Sequence, residues 1–150
     1  MPSAWKGLES KYLYFLKEIA PIQTVVEIGI DYGFSLFHLA MDFPTANVIG
    51  IDPYGTLALH KDAESWVVDH IKEFPNVVFC KATSEEASQF WKLCEHNLPG
   101  GLIDILHIDA VHEYENVKSI FNDWEPLVRK GGVVMFHDIC SYPNGAGKFF

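Results

Sequence analysis

Five short apolar runs recur along the 150-residue chain, none broken by regular polar alternation. They are Val25–Gly29, Asn47–Asp52, Val77–Ala82, Ile103–Asp109 and Val133–His137. Between them the apolar residues fall three and four apart, which predicts helices at Phe34–Asp42, 61–74, 84–97 and Tyr114–Val128. In the second helix Ala63, Trp66, Val67, Ile71 and Phe74 share one face. The third opens on Ser84-Glu85-Glu86, acids that the helix dipole favours in a first turn. Strands without alternation are buried on both faces, and helices between them imply parallel pairing. Right-handed crossovers then predict an α/β fold with a doubly wound, mostly parallel sheet. Before the first strand, 4–20 sets Leu8, Tyr12, Phe15, Leu16 and Ile19 at helical spacing, and Pro21 stops this further amphipathic helix. Pro99-Gly100-Gly101 and Lys130-Gly131-Gly132 read as turns. No strand pattern follows Asp138, so the sheet is expected to be shortened after its fifth strand.

Composition narrows the partners more than the fold. A net charge of −9 and a pI of about 5.1 argue against nucleic acid or an anionic membrane as partner. Hydrophobic residues at 49% and aromatics at 14% exclude a disordered chain, and the length suits one domain, 1–150. Cys80, Cys94 and Cys140 show no paired spacing and read as reduced thiols, the usage of a cytoplasmic protein. The start carries no apolar signal core, and no run approaches the length of about 18 apolar residues that spans a bilayer.

Open α/β sheets bind ligands beyond the carboxyl ends of their strands. Reading each run to its end collects Gly29 to Gly33, Asp52, Thr83 with Ser84, Asp109 to His112, and His137 with Asp138 at one edge. Residues 25–33, Val-Val-Glu-Ile-Gly-Ile-Asp-Tyr-Gly, run from a β-branched strand into a glycine loop and a helix start. Glycine admits close approach of a ligand, and the helix N-terminus offers free N–H donors. The loop lacks the Gly-x-Gly-x-x-Gly spacing of dinucleotide sites, and Glu27 and Asp31 make it acidic. A diphosphate would be repelled there, whereas a sulfonium or ammonium group would be attracted. Asp52 sits where a carboxylate accepts both hydroxyls of a ribose, the alternative being an ordinary capping or loop Asp. His112, three residues past Asp109, is a candidate general base because imidazole titrates near neutrality; the alternative is a solvent-facing His at a helix start. If strands one, four and five are neighbours, Asp109 and Asp138 converge, and their hard oxygens suit Mg²⁺ or Mn²⁺. They read equally as polar residues of a cleft. His107 shares the side of Asp109 and reads as buried support. His38, His60, His70 and His96 take surface positions without a role; Trp66, Trp91 and Trp124 read as core, and Trp5 as a cleft residue.

Glu27-x-Gly29-x-x-x-Gly33, Asp52 after the second strand and Leu106-His107-Ile108-Asp109 after the fourth resemble class I S-adenosylmethionine-dependent methyltransferases. The segment from His107 to Glu115, with Lys130-Gly131-Gly132 and His137-Asp138, is similar to the branch containing macrocin O-methyltransferase. The resemblance covers roughly residues 20–140. Where that branch usually reads Asp-Gly-Asp-His, this chain has Asp109-Ala110-Val111-His112, and Asp31 replaces the middle glycine of the first loop. The resemblance implies a Rossmann-like methyltransferase fold. It implies that Gly29, Gly33 and nearby backbone hold the methionine part of S-adenosyl-L-methionine, that Asp52 holds the ribose, and that Thr83 and Ser84 lie near the adenine. Glu27, Asp31, Ser35 and Asp109 complete the implied cofactor set, and Asp109, His137 and Asp138 are the implied metal ligands. The implied reaction is direct methyl transfer to the hydroxyl of a small molecule, a sugar or a phenol, with Asp109 and His112 catalytic.

Two rivals stand beside this reading. A nicotinamide-dependent oxidoreductase would share the fold, and the acidic two-glycine loop counts against it. A non-catalytic module, binding the cofactor or serving oligomerisation, is favoured by the change at Ala110-Val111 and the early end of the pattern. An uncovered fifth strand invites edge pairing, so a homodimer through that edge is expected.

Overall fold

The computed structural model describes residues 16, 21–55, 60–94 and 102–149. Its strands are β1 (Thr24–Ile28), β2 (Asn47–Ile51), β3 (Val77–Cys80), β4 (Ile103–Ile108) and β5 (Val128–Phe136). They form one parallel sheet in the order β3-β2-β1-β4-β5. The chain therefore runs outward from β1 to β3, returns to the middle, and runs outward again. The reversal between β1 and β4 creates the crevice in which such sheets bind ligands.

Among the described residues, helices α1 (Phe34–Asp42), α2 (Ala63–His70), α3 (Ser84–Cys94) and α4 (Tyr114–Trp124) cover the sheet. Successive side chains of a strand point to opposite faces, and the core divides accordingly. Val25, Val48 and Ile105 pack with Leu36, Phe37 and Ala40 of α1 and Val67 of α2. Val26, Ile28, Leu106 and Ile108 pack on the other face with Trp91 of α3 and Ile120 and Trp124 of α4. Every residue of β1 and β4 is buried, as the absence of polar alternation predicts.

Local physics moves three expected boundaries. The predicted helix Tyr114–Val128 ends at Trp124 and continues as a 3-10 turn, Glu125–Leu127, where Pro126 lacks the N–H that an α-helix needs. Lys130-Gly131-Gly132 is no turn between elements; it lies inside β5. There a bulge shifts the register between the Ile103–Val128 and Ile105–Val133 pairs, and Gly131 takes φ +81°. The 61–74 helix is α2 followed by a 3-10 turn, Ile71–Glu73. Of the predicted helix at 4–20 only Leu16 is described, helical and buried. The remainder, Trp5, His96 and the Pro99-Gly100-Gly101 turn lie outside the described residues. Among the described residues, no helix is long and apolar enough to cross a membrane.

Candidate active site

The glycine loop is shaped first by its own neighbours. Gly29 has φ +82°, and a Cβ there would overlap the carbonyl oxygen of Asp109 and the backbone of Ala110. Its lack of a side chain thus lets the loops after β1 and β4 touch. Asp31, between the glycines, is itself left-handed at φ 42°. Asp52 braces this turn: its Oδ2 accepts the N–H groups of Ile30 at 3.0 Å and Asp31 at 3.2 Å, and its Oδ1 accepts that of Tyr54 at 2.9 Å. Tyr54, also left-handed at φ 46°, is buried and donates its hydroxyl to the carbonyl oxygen of Asp31. Asp138, after β5, is the third non-glycine residue with positive φ among those described, at 55°. Such conformations persist only where surroundings hold them, and all three sit at strand ends around the crevice.

Beneath the loop, Glu27 and His107 are register partners across β1 and β4. Their side chains are 0% and 1% exposed, with Nδ1 of His107 2.8 Å from Oε1 of Glu27. Ser35, in the first turn of α1, donates its hydroxyl to the same oxygen. Oε2 of Glu27 is buried with no hydrogen-bond partner among the described residues. A buried carboxylate oxygen without a donor is costly, so this atom marks a place where a donor from a ligand would be stabilising.

Asp109, His137 and Asp138 converge above the ends of β4 and β5. Nδ1 of His137 is 3.1 Å from Asp109 Oδ1 and 3.3 Å from Asp138 Oδ1. One ligand atom from each of the three lies within 4.8 Å of the others, and the same holds for Glu27, His107 and Asp109. His137 is held above the ordinary imidazole value, first by its hydrogen bond to Asp109, then by the charges of Asp109 and Asp138, against the opposing effect of burial. Two carboxylates that already hold a cation-favouring imidazole are a donor set suited to a small hard divalent ion.

His112 faces the same group from the other side. Its Nε2 is 3.0 Å from Asp138 Oδ2, out of line for a full hydrogen bond. Its ring stacks on Tyr142, with centroids 4.1 Å apart and planes 8° from parallel. Both rings line an open cavity of about 550 Å³ together with Val111, Glu113, Tyr114, Asn144 and Gly145. Gly145 allows this closure, because a Cβ there would overlap the carbonyl oxygen of His112. The cavity is the size of a small-molecule site, with an imidazole on its wall.

The structure therefore brings Asp109, His112, His137 and Asp138 together, and Glu27, Gly29, Asp31, Gly33, Ser35 and Asp52 around the first loop. Thr83 and Ser84 carry work of their own. Thr83 and Glu86 form a capping box at the start of α3, with bonds of 2.8 to 3.2 Å, and the Ser84 hydroxyl accepts the Trp124 indole N–H at 2.9 Å. His38 and His70 bond to carbonyls of their own helices, as surface residues do. His60, read as without a role, lies 2.9 Å from the Asp31 carboxylate beside Tyr32. Sequence reasoning missed Tyr54 and Tyr142. The first had a signal in Asp52-Pro53-Tyr54-Gly55, a turn directly after a strand end; the second had none.

A five-stranded parallel sheet in this order, with acids and glycines gathered at the chain reversal, defines a Rossmann-like fold with a cofactor crevice. The chain belongs to the methyltransferase-domain family, whose model matches residues 26–139. It is 35% identical over 119 residues to an uncharacterized protein of Acanthamoeba polyphaga mimivirus, an overlap covering 79% of this chain and 52% of that one. The chain thus spans about half the length of that relative. Among solved structures it is similar to CalS11, a calicheamicin methyltransferase, with TM-score 0.68 and 16% identity over 94% of this chain and 67% of that one. It is similar to MycE, a methyltransferase of mycinamycin biosynthesis in complex with Mg and SAH, with TM-score 0.66 and 19% identity over 98% and 37% of the two chains. An O-methyltransferase of Bacillus cereus in complex with SAH gives TM-score 0.66 and 19% identity over 87% and 56%. At these identities the structural likeness concerns the fold, and the sequence expectation of a class I methyltransferase fold stands.

Proposed function

We propose that the chain binds S-adenosyl-L-methionine and directs its methyl group to a hydroxyl oxygen of a small acceptor, with Mg²⁺ or Mn²⁺ held by Asp109, His137 and Asp138. The observation that carries this reading is the buried carboxylate of Glu27 under the glycine loop, with one oxygen lacking a donor among the described residues. A cofactor whose methionine part carries an ammonium group supplies that donor, whereas a diphosphate would face Glu27, Asp31 and Asp52 at close range. The SAH described in the MycE and Bacillus cereus structures, and the Mg in the former, support the same assignment on the same fold.

When bound, S-adenosylmethionine supplies an electrophilic methyl group, and a divalent ion supplies Lewis acidity toward the acceptor hydroxyl. The chain's own residues orient and deprotonate. With the acceptor in the cavity beside His112, the imidazole would take the hydroxyl proton as the acceptor oxygen receives the methyl group that bound S-adenosylmethionine would supply. Asp138, 3.0 Å from its Nε2, places a carboxylate beside the imidazole. Most of the rate gain would come from the site's holding the acceptor hydroxyl against the methyl donor. Incubation with methyl-labelled S-adenosylmethionine across a panel of diols, sugars and phenols, with and without Mg²⁺, tests the proposal. Metal-dependent label transfer is expected.

One observation favours a chain that binds the cofactor without turnover: the Tyr142 ring lies flat on His112 and covers one face of the base. Binding of S-adenosylmethionine with no transfer to any acceptor of the panel would select that reading.

A further inference from the structure

We propose that Tyr54 is a positioning residue for the methionine half of the cofactor, acting through the backbone of Asp31; this rests on the S-adenosylmethionine reading above. Tyr54 follows β2, yet its hydroxyl reaches back to the carbonyl oxygen of Asp31 in the loop after β1. The ring is 2% exposed and sits edge-on to Phe79 of β3 at 5.5 Å, so its direction is fixed by packing. Burial and the surrounding carboxylates push the phenol far above its ordinary value, so it remains a donor. Asp31 at φ 42° is in a conformation that a non-glycine residue holds only when its surroundings impose it. Two contacts impose it. Asp52 takes the N–H of Asp31 from one side, and Tyr54 donates to its carbonyl from the other.

The two braces differ in what they reach. Asp52 braces the loop and, on the S-adenosylmethionine reading, would also take the ribose, whereas among the described residues the Tyr54 hydroxyl bonds to the loop alone. Tyr54→Phe removes one hydroxyl, keeps the buried ring, and keeps the Tyr54 N–H that Asp52 accepts. The variant therefore releases the carbonyl of Asp31 while leaving the ribose side in place.

Calorimetric titration of wild type and Tyr54→Phe with S-adenosylhomocysteine and with adenosine, which lacks the amino-acid tail, reads this split. For the variant we expect affinity for S-adenosylhomocysteine to fall about five- to tenfold, on the scale of one lost hydrogen bond, with adenosine changed less than twofold. Equal affinity of variant and wild type for S-adenosylhomocysteine overturns the proposal. So does an equal loss for both ligands, which marks a general loosening of the loop. A wild type that binds neither ligand refutes the cofactor reading itself and is thereby told apart. Tyr54→Leu, which also removes the ring, is expected to lose affinity for both ligands and to melt at a lower temperature.

Discussion

Glu27 and His107 form the innermost polar contact of the site, and its value to the fold is testable apart from chemistry. Removing the imidazole leaves a carboxyl buried among β-strands with, among the described residues, only Ser35 as donor. His107→Ala should therefore cost about 3 kcal/mol or more of stability by chemical denaturation; a loss under about 1 kcal/mol would show that the pair is not a strut of the sheet. Asp52→Ala should weaken adenosyl-ligand binding at least about tenfold, since a carboxylate that accepts charge-assisted bonds is lost. Unchanged affinity by calorimetry would remove Asp52 from the cofactor site. Most of these residues were legible in the sequence because strand ends carry them: Asp52, Asp109, His137 and Asp138 follow from the positions of the apolar runs, while Glu27, inside β1, stood out as the acid beside the glycine loop. Tyr54 and Tyr142 were not, because each acts across two loops, and loop-to-loop contacts carry no periodic pattern. Thr83 was legible as a residue, but the capping box written in Thr83-x-x-Glu86 explains its hydroxyl without a cofactor.

That capping box sets the behaviour of α3 with pH. The backbone N–H of Thr83, then its hydroxyl, hold the Glu86 carboxyl below its ordinary value of 4.5. A carboxyl whose folded value is lowered contributes stability above its unfolded value and loses it as pH falls through the folded one. In a pH series of thermal melts, wild type should exceed Glu86→Gln at neutral pH, and the gap should close as pH drops below 4.5. A gap independent of pH would contradict the assignment. The strands were read closely from sequence because unalternating apolar residues admit few other structures. The errors fell where a single residue decides. Pro126 ends α4 early, and glycines that read as a turn instead bulge β5, so that Arg129 meets the buried Asp104 carboxylate, which also accepts the N–H groups of Gln23 and Thr24.

In the molecule as a whole, the reversal between β1 and β4 does most to organise function. It sets the glycine loop beside Asp109 through the contact that Gly29 permits, and it sets β5, with His137 and Asp138, on the far side of Asp109. Among the described residues, β5 pairs with a strand on one side only. We expect two copies to associate through that edge, and a monomer by light scattering at micromolar concentration would refute it. The doubly wound fold was foreseen from helix–strand alternation; the cavity beside His112 was not, since it is built from the segments at 111–114 and 142–145, which have no fixed pattern. The acidic crevice bears on the identity of the cofactor, and one titration decides it. Calorimetry with S-adenosylhomocysteine and with NAD, each with and without Mg²⁺, should show binding of the adenosyl ligand and none of NAD. Binding of NAD alone would contradict the reading of Glu27, Asp31 and Asp52 as the walls of a site for a positively charged methyl donor.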